Sequence, residues 1–210
     1  MPKTEPFDNH LNEYEEWFDS NHYVYLSELE AVKKLLPSTG RGIEIGIGSG
    51  LFAEPLGIKE GCDPSAEMRG KAEKRGLKIT ECVAENLPYD DDSINYALMV
   101  TTICFVDDPQ KTFNEIFRVL KPGGSVIVAF VDKDSPVGKI YLENKAKSMF
   151  YKEATFFSTK EILKLLKDAG FKTESILQTV FGILKEIHEI QRPKEGHNEG
   201  SFVVVKGIKK

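Results

Sequence analysis

The chain switches repeatedly between two hydrophobic periods, and the switches divide it into elements. Short apolar stretches predict strands at Arg41 to Ile45, Glu60 to Asp63, Leu77 to Val83 and Ser125 to Val131. The nearly unbroken apolar run from Ile94 to Val106 predicts a central strand buried on both faces. Between them, apolar residues recur every three or four positions. Leu51 to Leu56 reads as a short helix rising from a glycine turn, and Pro64 to Arg75 as a longer one stopped by Gly76. Asp107-Asp108-Pro109 opens a third, with Phe113, Ile116, Phe117 and Leu120 at i, i+3, i+4 and i+7. Ser158-Thr159-Lys160-Glu161 is a capping box for a helix that reaches Ala169. Phe171 to Ile183 and Phe202 to Ile208 predict two closing strands joined by the polar loop from Arg192 to Gly200.

Strands alternating with helices of this length imply parallel pairing through right-handed crossovers. The predicted fold is α/β: a doubly wound, mostly parallel seven-stranded sheet with helices on both faces and an antiparallel C-terminal strand. One domain, 1–210, accounts for the chain. Residues 1–40 form an N-terminal helical cap, in which Ser27 is a candidate cap for a helix carrying Leu29, Val32, Leu35 and Leu36. Residues 41–131 form the core, 132–157 an aromatic, Lys-rich insert that resembles a lid, and 158–210 the last helix and a β-hairpin-like finish.

Composition narrows the function classes. At 210 residues, with a net charge of −5 and 40% hydrophobic residues, the chain can bury a core without disulfides and carries no basic stripe for a nucleic-acid backbone. No apolar run is long enough for a membrane span. The N-terminal Met1-Pro2-Lys3-Thr4-Glu5-Pro6 lacks the pattern of a secretory or transit leader, and Cys62, Cys82 and Cys104 match no metal spacing; a cytoplasmic protein without metal is expected. Small-molecule partners are favoured over nucleic acid.

The chemistry concentrates where the first strand ends. Ile43-Glu44-Ile45-Gly46-Ile47-Gly48-Ser49-Gly50 is a strand opening into three alternating glycines, which lets a ligand approach main-chain N–H groups. The spacing departs from the dinucleotide fingerprint G-x-G-x-x-G, because Leu51 stands where the third glycine belongs. Glu44 would crowd a phosphate but suits a cationic ligand. Asp63 lies 19 residues on (63 minus 44), at the end of the second strand, where a carboxylate accepts hydrogen bonds from ribose hydroxyls. An adenosine ligand with a positive charge is implied.

Glu44-x-Gly46-x-Gly48-x-Gly50 followed by Asp63-Pro64-Ser65-x-x-Met68 resembles the first two signatures of the class I S-adenosylmethionine-dependent methyltransferases, in the small-molecule, methyltransferase type 11-like branch. Ala84-Glu85-Asn86-Leu87-Pro88-Tyr89 and Leu120-Lys121-Pro122-Gly123-Gly124 are similar to two later ones. The resemblance implies S-adenosyl-L-methionine as cofactor, held by Glu44, Gly46, Ile47, Gly48, Gly50, Asp63, Pro64, Met68, Ala84, Glu85 and Thr101. Within that set Glu44 would meet the methionine ammonium, Asp63 the ribose, Met68 the adenine face, and Ala84 with Glu85 the adenine edge. Methyl transfer by in-line displacement to a small, partly apolar acceptor follows. Tyr14, Trp17, His22, Phe105 and Phe150 are the acceptor-side candidates, and no residue stands out as a catalytic base. Val100-Thr101-Thr102-Ile103-Cys104-Phe105 lacks the Asn/Asp-Pro-Pro-aromatic signature of members that clamp a planar nitrogen, which disfavours nucleobase and glutamine acceptors. Two rival classes are a noncatalytic adenosylmethionine-binding module and a nicotinamide-dependent oxidoreductase.

Overall fold

The computed structural model describes residues 3–210; Met1 and Pro2, the first residues of the expected cap, lie outside the described residues. Three consecutive helices open the chain: α1 (Glu5–Asn9), α2 (Leu11–Ser20) and α3 (His22–Leu35), separated by single non-helical residues at His10 and Asn21. Ser27 is not a cap. It lies inside α3, where its hydroxyl donates to the Tyr23 carbonyl (2.6 Å) and accepts the Gln191 N–H (2.8 Å), so a helix-interior serine ties the cap to the C-terminal loop.

The core follows in the expected order: β1 (Gly42–Ile45), α4 (Ala53–Leu56), β2 (Glu60–Asp63), α5 (Ala66–Lys74), β3 (Lys78–Glu81), β4 (Ile94–Val100), α6 (Pro109–Val119) and β5 (Leu120–Val131). Then come α7 (Pro136–Asn144), α8 (Thr159–Asp168), β6 (Phe171–Thr179), β7 (Lys194–Glu195) and β8 (Phe202–Lys209). The strands make one sheet in the order β3-β2-β1-β4-β5-β8-β6-β7, parallel from β3 through β5 and antiparallel beyond.

The sheet has eight strands rather than the seven expected. The additional strand, β7, forms inside the polar loop, where Lys194 and Glu195 pair with Gln178 and Leu177. The Gln178 side chain directs this by accepting the N–H groups of Glu199 and Gly200 (both 2.8 Å) and donating to the Glu195 carbonyl (3.2 Å). Folding the loop onto β6 covers an otherwise open edge. The central strand also ends sooner than its hydrophobicity suggests: β4 stops at Val100, and Thr101 turns the chain with φ of +49°. Ile103 and Cys104 stay buried beyond the turn, so the apolar run continues as a packed loop. Leu120 to Gly124 joins β5 through a register shift, with Ile94 opposite Leu120 but Tyr96 opposite Ser125. Gly124 is required there, because a Cβ would stand 2.8 Å from the Lys121 carbonyl oxygen and 2.9 Å from that of Asn95.

Both sheet faces are buried, as a doubly wound sheet demands. Phe113 and Ile116 of α6 and Ile162 and Leu166 of α8 cover one face, against Ile43, Met99, Val126 and Val205. Val24, Ala31 and Val32 of α3 cover the other with Val137 of α7, against Leu98, Ile127 and Val204. Although the chain is long enough to bury a core without disulfides, Cys62 and Cys82 form one between the ends of β2 and β3, with Cα atoms 5.6 Å apart, and Cys104 is buried and free. The insert is pinched at its neck, where Asp132 accepts the Thr159 N–H (2.9 Å) and hydroxyl (2.6 Å).

The C-terminal strand is anchored by one buried cation. Lys209 Nζ, on β8, donates to the carbonyls of Phe117 and Leu120 at the C-terminal end of α6 and to Asp92 Oδ1, all at 2.7 Å, and lies 4.6 Å from the Phe117 ring centroid. A cation at that end complements the helix dipole. Lys209→Met should therefore orphan three acceptors and lower the unfolding free energy by about 2 to 4 kcal/mol in urea titrations. Lys194→Met, which breaks the exposed pair with Glu199 and a contact with the Phe181 ring (4.5 Å), should change it by about 1 kcal/mol or less.

Candidate functional site

The sheet reverses direction of winding between β1 and β4, and the carboxyl ends of the strands around that point open onto one chamber of about 590 Å³. This is where open α/β sheets take ligands. The floor is the glycine turn. Gly46, Gly48 and Gly50 have φ of +66°, +55° and +87°, values that side-chain-bearing residues rarely adopt. The end of β2 templates the turn: the Cys62 carbonyl accepts the N–H groups of Gly46 (2.8 Å) and Ile47 (3.1 Å), and Asp63 Oδ2 accepts that of Gly48 (2.9 Å). Asp63 Oδ1 takes the Ser65 N–H (2.8 Å) at the start of α5. Burial outweighs these bonds and raises the Asp63 pKa.

Glu44 lies at the end of β1, 2% exposed, with its Oε2 buried and unpartnered. Burial, reinforced by the charge of Asp63, raises its pKa well above the ordinary carboxylate value. Glu85 Oε1 accepts the N–H groups of Asp107 (2.7 Å) and Asp108 (3.0 Å), fixing the loop that enters α6 beside the chamber. Thr101, in its strained left-handed turn at the end of β4, lines the wall; Thr102 Oγ1 donates to the Gly46 carbonyl (3.2 Å).

The other half of the chamber is aromatic. Phe7 of α1 meets Phe105 edge-on at 5.0 Å between centroids and Phe150 at 5.6 Å; Tyr151 stacks on Phe105 (5.9 Å) and on Tyr141 (5.1 Å). Tyr14 and Trp17 of α2 complete the roof. Asp8 accepts the Ser65 hydroxyl (2.6 Å), and Glu15 pairs with Lys71 (2.7 Å) and Arg75 (2.9 Å), so polar bonds hold the cap over the core.

A crystal structure from Thermotoga maritima, described as a SAM-dependent methyltransferase, "possible histamine N-methyltransferase", is 51% identical in sequence, with a TM-score of 0.95 over 98% of this chain and 99% of its own. The chain belongs to the S-adenosylmethionine-dependent methyltransferases. S-adenosylmethionine is the cofactor of that family. An uncharacterized protein of Methanocaldococcus jannaschii is 44% identical over 97% of this chain and 98% of its own length. The "Methyltransferase domain" family matches residues 43–128. The ubiquinone/menaquinone biosynthesis C-methyltransferase of Campylobacter jejuni is 28% identical, over 76% of this chain and 78% of its own length.

In this methyltransferase the chamber brings together Gly46, Gly48, Asp63, Pro64, Met68, Ala84, Glu85 and Thr101 with Tyr14, Trp17, Phe105 and Phe150. Glu44, Ile47 and Gly50 are not on its wall. Ile47 is a core side chain, 3% exposed, and Gly50 backs onto Leu77 and Ala72. His22 is a correction: it is the exposed first residue of α3, outside the stripe of Val24, Ser27, Glu28, Ala31, Val32 and Leu35 that faces inward. Among the described residues no cluster of His, Cys, Asp or Glu has metal-holding geometry, and no helix is long and apolar enough to cross a membrane.

Sequence reading missed Glu28, a chamber residue only 6% exposed. Its signal was an acid at the i+4 position from Val24 on an otherwise apolar stripe. Burial alone pushes its carboxyl up to about 8. Below pH 4.5 both folded and unfolded chains keep that proton; as pH rises towards 8 the unfolded chain ionises while the fold holds the proton, so stability is lost across that window. Glu28→Gln, which cannot ionise, should thus gain stability relative to the parent as pH rises from 4.5 to 8, by an amount on the order of a few kcal/mol. Urea titrations at a series of pH values test this, and a pH-independent difference would refute it.

Proposed function

We propose that this methyltransferase transfers the methyl group of S-adenosylmethionine to a small, partly apolar acceptor by in-line displacement. One observation carries the reading: a single chamber joins a glycine turn and ribose-type carboxylate at one end to a dry aromatic compartment at the other. Its volume, about 590 Å³, falls in the range of roughly 300 to 1,000 Å³ usual for small-ligand sites. The residues fit the cofactor. Glu44 Oε2 is buried without a hydrogen-bond partner at the foot of the glycine turn, where an ammonium would hold the carboxylate ionised, and a Cβ on Gly48 would point into the chamber at 3.4 Å from the Tyr14 phenol oxygen.

In this reading Glu44 offers its charge to the methionine ammonium, Asp63 accepts the ribose hydroxyls, and Met68, Ala84 and Glu85 receive the adenine. The cofactor supplies an electrophilic methyl on a sulfonium. The protein's part is to align the acceptor and exclude water, which is worth up to ~7 to 11 kcal/mol of barrier when orientation is good. Phe150, Tyr151 and Phe7 close the acceptor half, so residues 132–157 and α1 serve together as the cover. The description of the Thermotoga relative gives precedent for a small ring-bearing acceptor.

Thermal shift with S-adenosylmethionine, adenosylhomocysteine and NAD, followed by transfer of tritiated methyl into a metabolite extract, tests the activity. Stabilisation by NAD alone would overturn the cofactor half, and cofactor binding without labelled product the acceptor half. The residue assignments make a sharper prediction. Asp63→Ala should weaken adenosine and adenosylhomocysteine alike, by about 1.5 to 3 kcal/mol, since both carry the ribose. Glu44→Gln keeps the shape and should weaken adenosylhomocysteine while sparing adenosine, which has no ammonium. Calorimetry showing equal losses of both ligands in Glu44→Gln would move Glu44 away from the amino-acid end.

A further inference from the structure

Glu28 poses a question that cofactor binding does not answer. It stands on α3, which packs on β5, β6 and β8, whereas the residues proposed for ribose and adenine follow β2 and β3 at the other side of the sheet order. Among the described residues no lysine, arginine or hydrogen-bond donor meets its carboxylate, and the side chain is 94% buried (6% exposed). A glutamate that only filled the α3 stripe would lose solvation and gain nothing, and leucine would serve better. The titratable groups that sense its charge are phenols from four places, Tyr14 on α2, Tyr25 on α3, Tyr141 on α7 and Tyr151 in the insert, and each is pushed further towards its neutral form. None can neutralise a carboxylate. Trp17 and Tyr141 line the same compartment, and aromatic rings attract cations.

We propose that Glu28 is the acceptor-binding acid-base residue, and that the acceptor is an amine on an apolar or aromatic body. This rests on the methyltransferase reading above and names its substrate class. The acceptor enters as an ammonium paired with the Glu28 carboxylate and passes one proton to it, which leaves a lone pair on nitrogen. That lone pair forms the N–C bond to the methyl as the C–S bond breaks, the departing electrons staying on sulfur. The Glu28 proton then leaves to water, and the restored carboxylate faces the new ammonium. A carboxyl held near 8 is poised for this exchange close to neutral pH.

Calorimetry on the full chain saturated with adenosylhomocysteine tests the proposal without turnover. The probes are 2-phenylethylamine and its neutral counterpart 2-phenylethanol, titrated at pH 7 in phosphate and in Tris. Because the free carboxyl is largely protonated at that pH, pairing with an ammonium should expel close to one proton, read from the dependence of the heat on the buffer. The amine should bind at least about tenfold more tightly than the alcohol. Glu28→Gln should erase both the preference and the proton release while leaving adenosylhomocysteine affinity within about twofold of the parent, a fraction of the 1.4 kcal/mol that marks a factor of ten. Equal binding of the two probes, no measurable amine binding, or a preference that survives in Glu28→Gln would overturn the role. A loss of adenosylhomocysteine affinity in Glu28→Gln would assign the residue to the cofactor and overturn it as well. Failure of the parent chain to bind adenosylhomocysteine at all would instead strike the cofactor reading on which the proposal stands.

Discussion

The Asp63 carboxylate holds the Gly48 N–H at 2.9 Å and the Ser65 N–H at 2.8 Å, and this joint between the first two strands sets the geometry of the site. A turn with three glycines at positive φ has large conformational freedom when unfolded, and something must select one arrangement. The end of β2 does so with three bonds, two to the Cys62 carbonyl and one to Asp63. The disulfide from Cys62 to Cys82 ties the same strand end to the segment carrying Ala84 and Glu85. The glycine turn, the start of α5 and the Ala84–Glu85 segment are thus coupled through β2, a strand of four residues. Each oxygen of Asp63 keeps a second lone pair for a ligand while serving the turn.

The parts of this architecture that depend on local chemistry could be read from the residues. Capping at Asp108 and at Ser158, the glycine turn and the alternation of strand and helix are all short-range signals, and the structure contains them. What escaped was set by contacts between distant segments. β7 exists because the Gln178 amide grips a loop some twenty residues on. Ser27 has cap chemistry, yet it lies mid-helix because Gln191 from the other end of the chain requires its hydroxyl. The apolar run through Val106 is a strand only to Val100, since burial does not distinguish a sheet from a packed loop. His22 attracted attention by its chemistry and Glu28 escaped it by its ordinariness, although the helical stripe through Val24 and Ala31 selects the second.

Charge explains what the chamber accepts. Glu28, Glu44 and Asp63 each have a carboxyl raised in pKa, and burial is the leading cause in all three. Removing a carboxylate from water costs several kcal/mol, and Glu28 and Asp63 on the chamber, with Glu44 buried at the foot of the glycine turn, make anionic contents unfavourable. A ligand bearing a sulfonium and an ammonium relieves that penalty. The same field disfavours a pyrophosphate, which agrees with the absence of the third fingerprint glycine at Leu51.

A dry compartment needs a cover that can also open. The cover over the aromatic half has two independent supports, and their strengths differ. The cap is fastened to the core by Asp8 on Ser65 and by the Glu15 pairs with Lys71 and Arg75, bonds that lie over the cofactor half. The insert meets the cap through the buried packing of Val137 and Tyr141 beside α3 and through rings at its tip: Phe150 lies 5.6 Å from Phe7, 6.1 Å from Tyr14 and 6.5 Å from His10. Aromatic contacts of this kind contribute about 0.5 to 1.5 kcal/mol each, so the Phe150 tip is held less firmly than the buried packing at Val137. The neck at Asp132 and Thr159 is held by bonds that are buried and charge-assisted. On the proposed reading, the contacts that cover the acceptor half are thus distinct from the glycine turn and the Asp63 joint, so a change at the Phe150 tip need not disturb the turn.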